Sequence, residues 1–141
     1  MKEIINKKWA LINKINKEFD DLYHKMAVHY NLSDSAFWIL YSLYTSKKPC
    51  TQKEICDNWC FSKQTINSAI KNLEQIGYIS RGYKKIVLTP LGLEVAEKTI
   101  HEVIEIENKS LSKINEEELD TIINLFQKTL SSFKEEANKI I

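Results

Sequence analysis

A chain of 141 residues with 43% hydrophobic content is long enough to bury one real core and too apolar for intrinsic disorder. No apolar run approaches the length of a membrane span, and residues 1–19 carry charge throughout where a secretory leader would be apolar, so a cytoplasmic protein that avoids membranes is expected. The net charge of +1 hides a segregation: residues 46–90 hold eight basic and three acidic side chains, a net +5, whereas residues 91–141 hold six against eleven, a net −5. Among the 20 basic residues only Arg81 is an arginine, so the planar fork that grips guanine or phosphate at two points is available once.

From about residue 3 to residue 30 the chain has no glycine or proline. Ile5, Trp9, Ile12, Ile15, Phe19, Leu22, Tyr23, Met26 and Tyr30 step mostly by three or four, which predicts one long amphipathic helix. Its stripe is longer than a small domain can cover, so part of it is expected to meet another chain. Asn31, Leu32, Ser33 and Asp34 form the break, with Ser33 capping a second helix that ends near Tyr44 or Thr45. The run AFWILYSLY is apolar nearly all round and must be buried on more than one side. Pro49 closes the connector that follows.

Residues 51–88 carry the densest pattern. Thr51 and Glu54 have the spacing of a capping box opening a short helix. Cys60 and Phe61 interrupt it, and Ser62 caps a second helix whose inward residues are Ile66, Ala69, Ile70, Leu73 and Ile76. The opposite face carries Lys63, Gln64, Asn67, Ser68 and Lys71 with no acid before Glu74, a set of amides, hydroxyls and ammonium groups suited to base edges and phosphates. Gly77 ends that helix. Two β-prone runs, residues 78–81 and 84–88, flank Gly82-Tyr83 as a tight hairpin. Helix, turn, helix and hairpin in this order predict a mainly α fold with a small β wing, a winged helix-turn-helix that binds double-stranded DNA.

Thr89-Pro90 starts the next helix, and Leu91, Val95, Ala96, Ile100, Val103 and Ile104 carry it to about residue 111. Asn115 with Glu118 repeats the capping box. Leu119, Ile122, Ile123, Phe126, Leu130, Phe133, Ala137 and Ile140 then form one last stripe. Long stripes at both ends predict a homodimer through residues 1–30 and 89–141, around a DNA-binding domain at 33–88.

This ordered series resembles the MarR family of bacterial regulators (multiple antibiotic resistance regulators). The resemblance is carried by Thr51-Gln-Lys-Glu-Ile, Phe61-Ser-Lys-Gln-Thr-Ile-Asn, Leu73-Glu-Gln-Ile-Gly77-Tyr-Ile and Val87-Leu-Thr-Pro-Leu-Gly92, between a long N-terminal helix and a C-terminal helix pair. It implies a repressor that sits as a homodimer on a pseudo-palindromic operator and is released by a small ligand or an oxidant. By position, Ser62, Lys63, Gln64, Thr65, Asn67 and Ser68 would face bases and phosphates, with Lys71 at the margin. The wing departs from the family pattern, being short and lacking the Asp-x-Arg element, so Arg81, Lys84 and Lys85 are expected to touch phosphates.

Other constellations have two readings. Cys50, Cys56 and Cys60 lack a C-x-x-C pair and are expected to be small core residues, Cys56 inward; Cys60, near the start of the second helix, is the one candidate thiol sensor. Tyr23, Tyr30, Phe37, Trp38, Tyr41 and Tyr44 are either core or the lining of a pocket for a small aromatic effector. No phosphate loop or hydrolase motif occurs, so neither an enzyme nor a cofactor or metal is expected. The rival function is a winged helix that binds protein instead of DNA.

Overall fold

The computed structural model describes residues 1–141. The order is α1 (Lys2–His29), α2 (Asp34–Ser46), α3 (Gln52–Trp59), α4 (Lys63–Gln75), β1 (Ile79–Arg81), β2 (Ile86–Leu88), α5 (Pro90–Lys98), α6 (Ile100–Leu111) and α7 (Glu116–Ala137). The chain parts into two compact units, Met1–Val103 and Ile104–Ile141, with α6 running across the division.

The helix starts are local chemistry. Ser33 accepts the N–H of Ala36, Ser62 that of Thr65 and Thr89 that of Gly92, while Thr51–Glu54 and Asn115–Glu118 each form a complete capping box. Each such cap satisfies amide groups the first turn would otherwise leave open.

In the first unit the core is built around α2, which packs on α1, α3, α4, α5 and β2. Phe37, Ile39 and Leu40 are fully buried there, joined by Ile55 of α3, Ile66, Ile70 and Leu73 of α4, Ile79 and Ile86 of the hairpin, and Ile100 and Val103. Burying side chains of this size stabilises the unit by roughly 1.5–3 kcal/mol each before conformational entropy is charged against it. Ser42, the buried polar residue on α2, is satisfied twice: its hydroxyl donates to the Trp38 carbonyl at 2.8 Å and accepts the Trp59 indole N–H at 2.6 Å.

A single side chain locks α5 to the end of α4. The Thr89 hydroxyl donates to the Gly77 carbonyl at 2.5 Å and accepts the Gly92 N–H at 3.0 Å, while the Thr89 N–H donates to the Tyr78 carbonyl at 3.0 Å. Gly77 takes φ +85°, a conformation that favours glycine.

Four details differ from expectation. The helix expected to run from Pro90 to residue 111 breaks at Thr99, where φ is −125° and ψ −71°. The Thr99 hydroxyl donates to the Val95 carbonyl at 2.8 Å, a local bond that competes with helix continuation. Ile76 is 48% exposed because it lies at the helix cap, past the last inward turn. Ile140 falls beyond α7 and is exposed.

The hairpin is the fourth. It pairs Ile79 with Leu88, Ser80 with Val87 and Arg81 with Ile86, so the turn is Gly82-Tyr83-Lys84-Lys85 and not Gly82-Tyr83 alone. The Gly82 N–H donates to the Lys85 carbonyl at 2.8 Å, and Lys84 adopts φ +59°. A lysine in the left-handed region gives no compositional signal.

Along α1, Ile4, Ile5, Leu11, Ile12, Ile15, Phe19 and Leu22 remain exposed. In the second unit α7 has no buried residue, and Ile122, Ile123, Leu125, Phe126, Leu130 and Phe133 are exposed.

Candidate nucleic-acid interface

The orientation of α4 follows from its apolar residues. With Ile66, Ala69, Ile70 and Leu73 buried, helical geometry turns the intervening positions outward. Ser62, Lys63, Gln64, Thr65, Ser68 and Lys71 are exposed and Asn67 is half-buried. Ser62 donates to the Thr65 hydroxyl at 2.8 Å while accepting the Thr65 N–H at 3.1 Å, which fixes both hydroxyls at the first turn. This turn has no acid, and its unpaired amides add a positive end to the lysines beside it. Such an array can donate to phosphate oxygens and, through Gln64 and Asn67, both donate to and accept from base edges.

The wing stands next to it on a fixed base. Cys50 and Ile86 exchange two backbone hydrogen bonds, Cys50 N–H to Ile86 carbonyl at 3.1 Å and Ile86 N–H to Cys50 carbonyl at 2.7 Å. Arg81, Tyr83, Lys84 and Lys85 are all exposed. Arg81 is not unengaged: its Nε lies 3.5 Å from the Glu74 carboxylate at the far end of α4. Lys53, another contributor to the local positive charge, is paired with Asp57 at 2.8 Å. Exposed pairs of this kind contribute at most about 1 kcal/mol to stability, so their interest is in where they hold the charge.

All three cysteines are free. Cys50 is the buried one, held by the wing-base pairing, whereas Cys56 is half-buried and less inward than its spacing suggested. Cys60 is exposed at the C-cap of α3 with φ +56°, two residues ahead of the Ser62 cap.

The aromatic set divides. Tyr23, Phe37, Trp38 and Tyr41 gather on a residue the sequence reading missed, Trp59. Trp59 stacks on Trp38 with centroids 4.2 Å apart and planes at 26°, and meets Tyr41 edge-on at 5.7 Å. Tyr23 and Phe37 each lie 4.9 Å from Trp38, and Phe37 is fully buried. The signal for Trp59 was its place four residues after inward Ile55, on the same face of α3.

Tyr30 and Tyr44 reach the first turn of α6 instead. Tyr44 meets the His101 Nδ1 at 3.2 Å, and the Tyr30 hydroxyl donates to the Glu102 carboxylate. Burial first, then the Glu102 hydrogen bond and charge, push the Tyr30 phenol up to about 12. Because this lies above the unfolded value, the contribution to stability is whole below about pH 10 and is lost as pH rises through 12. Denaturant titrations should therefore show wild type losing more stability than Tyr30→Phe between about pH 10 and 12. Equal losses would show that this contact does not perturb the phenol.

Residues 30–82 match the profile of the MarR family. No curated protein is similar in sequence. Among solved structures, a MarR family regulator from Neisseria meningitidis superposes with a TM-score of 0.70 at 23% identity, covering 89% of this chain and 97% of that one. The MepR–DNA complex of S. aureus superposes with a TM-score of 0.69 at 24% identity, covering 87% and 94%. A MarR family protein of Mycobacterium tuberculosis gives 0.58 at 17% identity, covering 85% and 91%. At these identities the likeness is one of fold. The profile match spans the helix-turn-helix and reaches the wing, and the superpositions cover almost the whole chain: residues 30–82 are similar to the MarR family, and the protein has the winged helix-turn-helix fold of these regulators.

Proposed function

We propose that the protein is a sequence-specific, double-stranded DNA-binding transcriptional regulator, acting as a homodimeric repressor on a pseudo-palindromic operator. The observation that carries the reading is the outward face of α4: Ser62, Lys63, Gln64, Thr65, Ser68 and Lys71 exposed on a helix whose other side is pinned by four buried residues. A helix with this face enters a major groove and places amides at base edges and ammonium groups at phosphates. Asn67 belongs to the same set, and Arg81, Lys84 and Lys85 serve as phosphate contacts beside it. The fold is also that of MepR, which was solved bound to DNA.

A second copy of the chain is the natural cover for the exposed stripe of α1 and, separately, for that of α7. Two copies bring two such helices to successive half-sites about 34–36 Å apart. Release of the operator is assigned to a small aromatic effector near the cluster of Tyr23, Trp38, Tyr41 and Trp59, with Tyr30 and Tyr44 apart from it at the start of α6, or to oxidation of Cys60, whose exposed thiol sits ahead of the α4 N-terminus.

The test is a titration on duplexes enriched from a random pool, repeated across salt concentrations. Affinity should fall steeply, with a log–log slope of about −0.9 per phosphate contacted. Binding that is indifferent to salt, or no enrichment at all, would favour the protein-binding alternative.

A further inference from the structure

The wing tip presents a side chain that neither the fold nor the α4 face accounts for. Tyr83 is 95% exposed, the most exposed aromatic of the chain. An aromatic ring standing in water at a loop apex loses the packing that ordinarily retains it. The loop that carries it is not loose: the Gly82 N–H to Lys85 carbonyl bond closes it, the left-handed Lys84 sets its path, and the Cys50–Ile86 pairing anchors the strand below. Tyr83 thus projects from a fixed tip, followed by Lys84 and Lys85, which are also exposed.

Arg81, the side chain that would otherwise be expected to probe a groove, is drawn toward Glu74 through its Nε. Next to phosphates that carboxylate offsets the guanidinium charge and keeps it at the base of the wing, over the end of α4. What remains at the tip is a phenol followed in the chain by two exposed lysines. Phosphates line the edges of a minor groove, so lysines next to the ring in the chain would bind an edge while the ring faces the floor. A flat ring fits a slot about 6 Å wide, and its hydroxyl can donate to adenine N3 or thymine O2. At a G·C pair the guanine N2 amino group occupies that position.

We infer that Tyr83 is the minor-groove reader of the wing, selecting A·T over G·C pairs flanking the α4 half-site, with Arg81 held back by Glu74 as a phosphate contact. This rests on the DNA-binding function proposed above.

The experiment takes duplexes enriched by the wild-type protein and replaces flanking A·T pairs with G·C or with inosine·C, which has the minor groove of A·T and the major-groove face of G·C. Wild type should bind A·T and inosine·C flanks alike and G·C flanks roughly tenfold more weakly. Tyr83→Ala should bind all three alike; so exposed a position leaves the fold, and hence the circular dichroism spectrum, unchanged. Arg81→Ala should keep the flank preference while its salt slope drops by about one unit for each protomer, about two for the dimer. A Tyr83→Ala protein that keeps the preference, or a wild type that treats inosine·C as G·C, overturns the inference while leaving DNA binding intact. Failure to enrich any duplex overturns both.

Discussion

Replacing Gly92 with alanine should unfold the winged unit at temperatures where wild type is stable. A Cβ at that position would lie 1.8 Å from the Tyr78 carbonyl oxygen and 2.7 Å from its carbon, and Gly92 is buried. Both obstacles are backbone, so no side chain can swing aside. Relief requires moving α5 away from Tyr78, which breaks the Thr89 bonds to Gly77, Tyr78 and Gly92 together. A cost of about 4 kcal/mol or more is expected, large against a total stability on the order of 5–15 kcal/mol. For a unit of this size that lowers the melting temperature by roughly 15 °C or more. Gly82→Ala is the control: its Cβ would meet only the Lys85 carbonyl oxygen, at 3.9 Å. Thermal melts followed by circular dichroism should separate the two. Equal melting for Gly92→Ala and wild type would mean that the close approach of α5 to Tyr78 is wrongly placed.

The second large effect is on binding and leaves the fold alone. Lys63 and Lys71 are exposed on the same side of α4, one at the start and one two turns on. Reversing both charges, Lys63→Glu with Lys71→Glu, would remove two of the proposed phosphate contacts from each protomer, four from the dimer, and add repulsion. Affinity for the enriched duplex should fall by more than about 100-fold near 150 mM salt, and the log–log salt slope for the dimer should shrink by about four units. The melting temperature should stay within a few degrees of wild type, since neither side chain packs in the core. Lys128→Glu on α7 changes net charge by the same amount per site and should leave affinity within about threefold. Were the double variant to bind as well as wild type, the proposed face would not be the one that meets DNA.

How much of this was legible in the sequence divides by range. Caps were legible because they are local: Ser62 and Thr65, Thr51 and Glu54, Asn115 and Glu118 meet within one turn, so residue type and spacing decide the outcome. The rotation of α4 was legible because its apolar period has one solution. The break at Thr99 was not, since threonine is common inside helices and its competing bond to Val95 leaves no pattern. The length of the wing turn depended on one positive φ at Lys84, where composition points to glycine. Trp59 was overlooked because its ring partners, Trp38 and Tyr41, sit on another helix. The Glu74–Arg81 pair is likewise a tertiary fact, and it changes how the lone arginine is understood: charge counting treats Arg81 as available, whereas geometry gives it a partner.

The most direct test of the central assignment is a footprint of the wild-type protein on the duplex it selects. Two protected major-groove segments, related by two-fold symmetry and centred about 10 base pairs apart, are expected if α4 faces outward once per protomer in a dimer. A single protected segment bound by one protomer, or protection unchanged when Gln64 and Asn67 are both replaced by alanine, would contradict it.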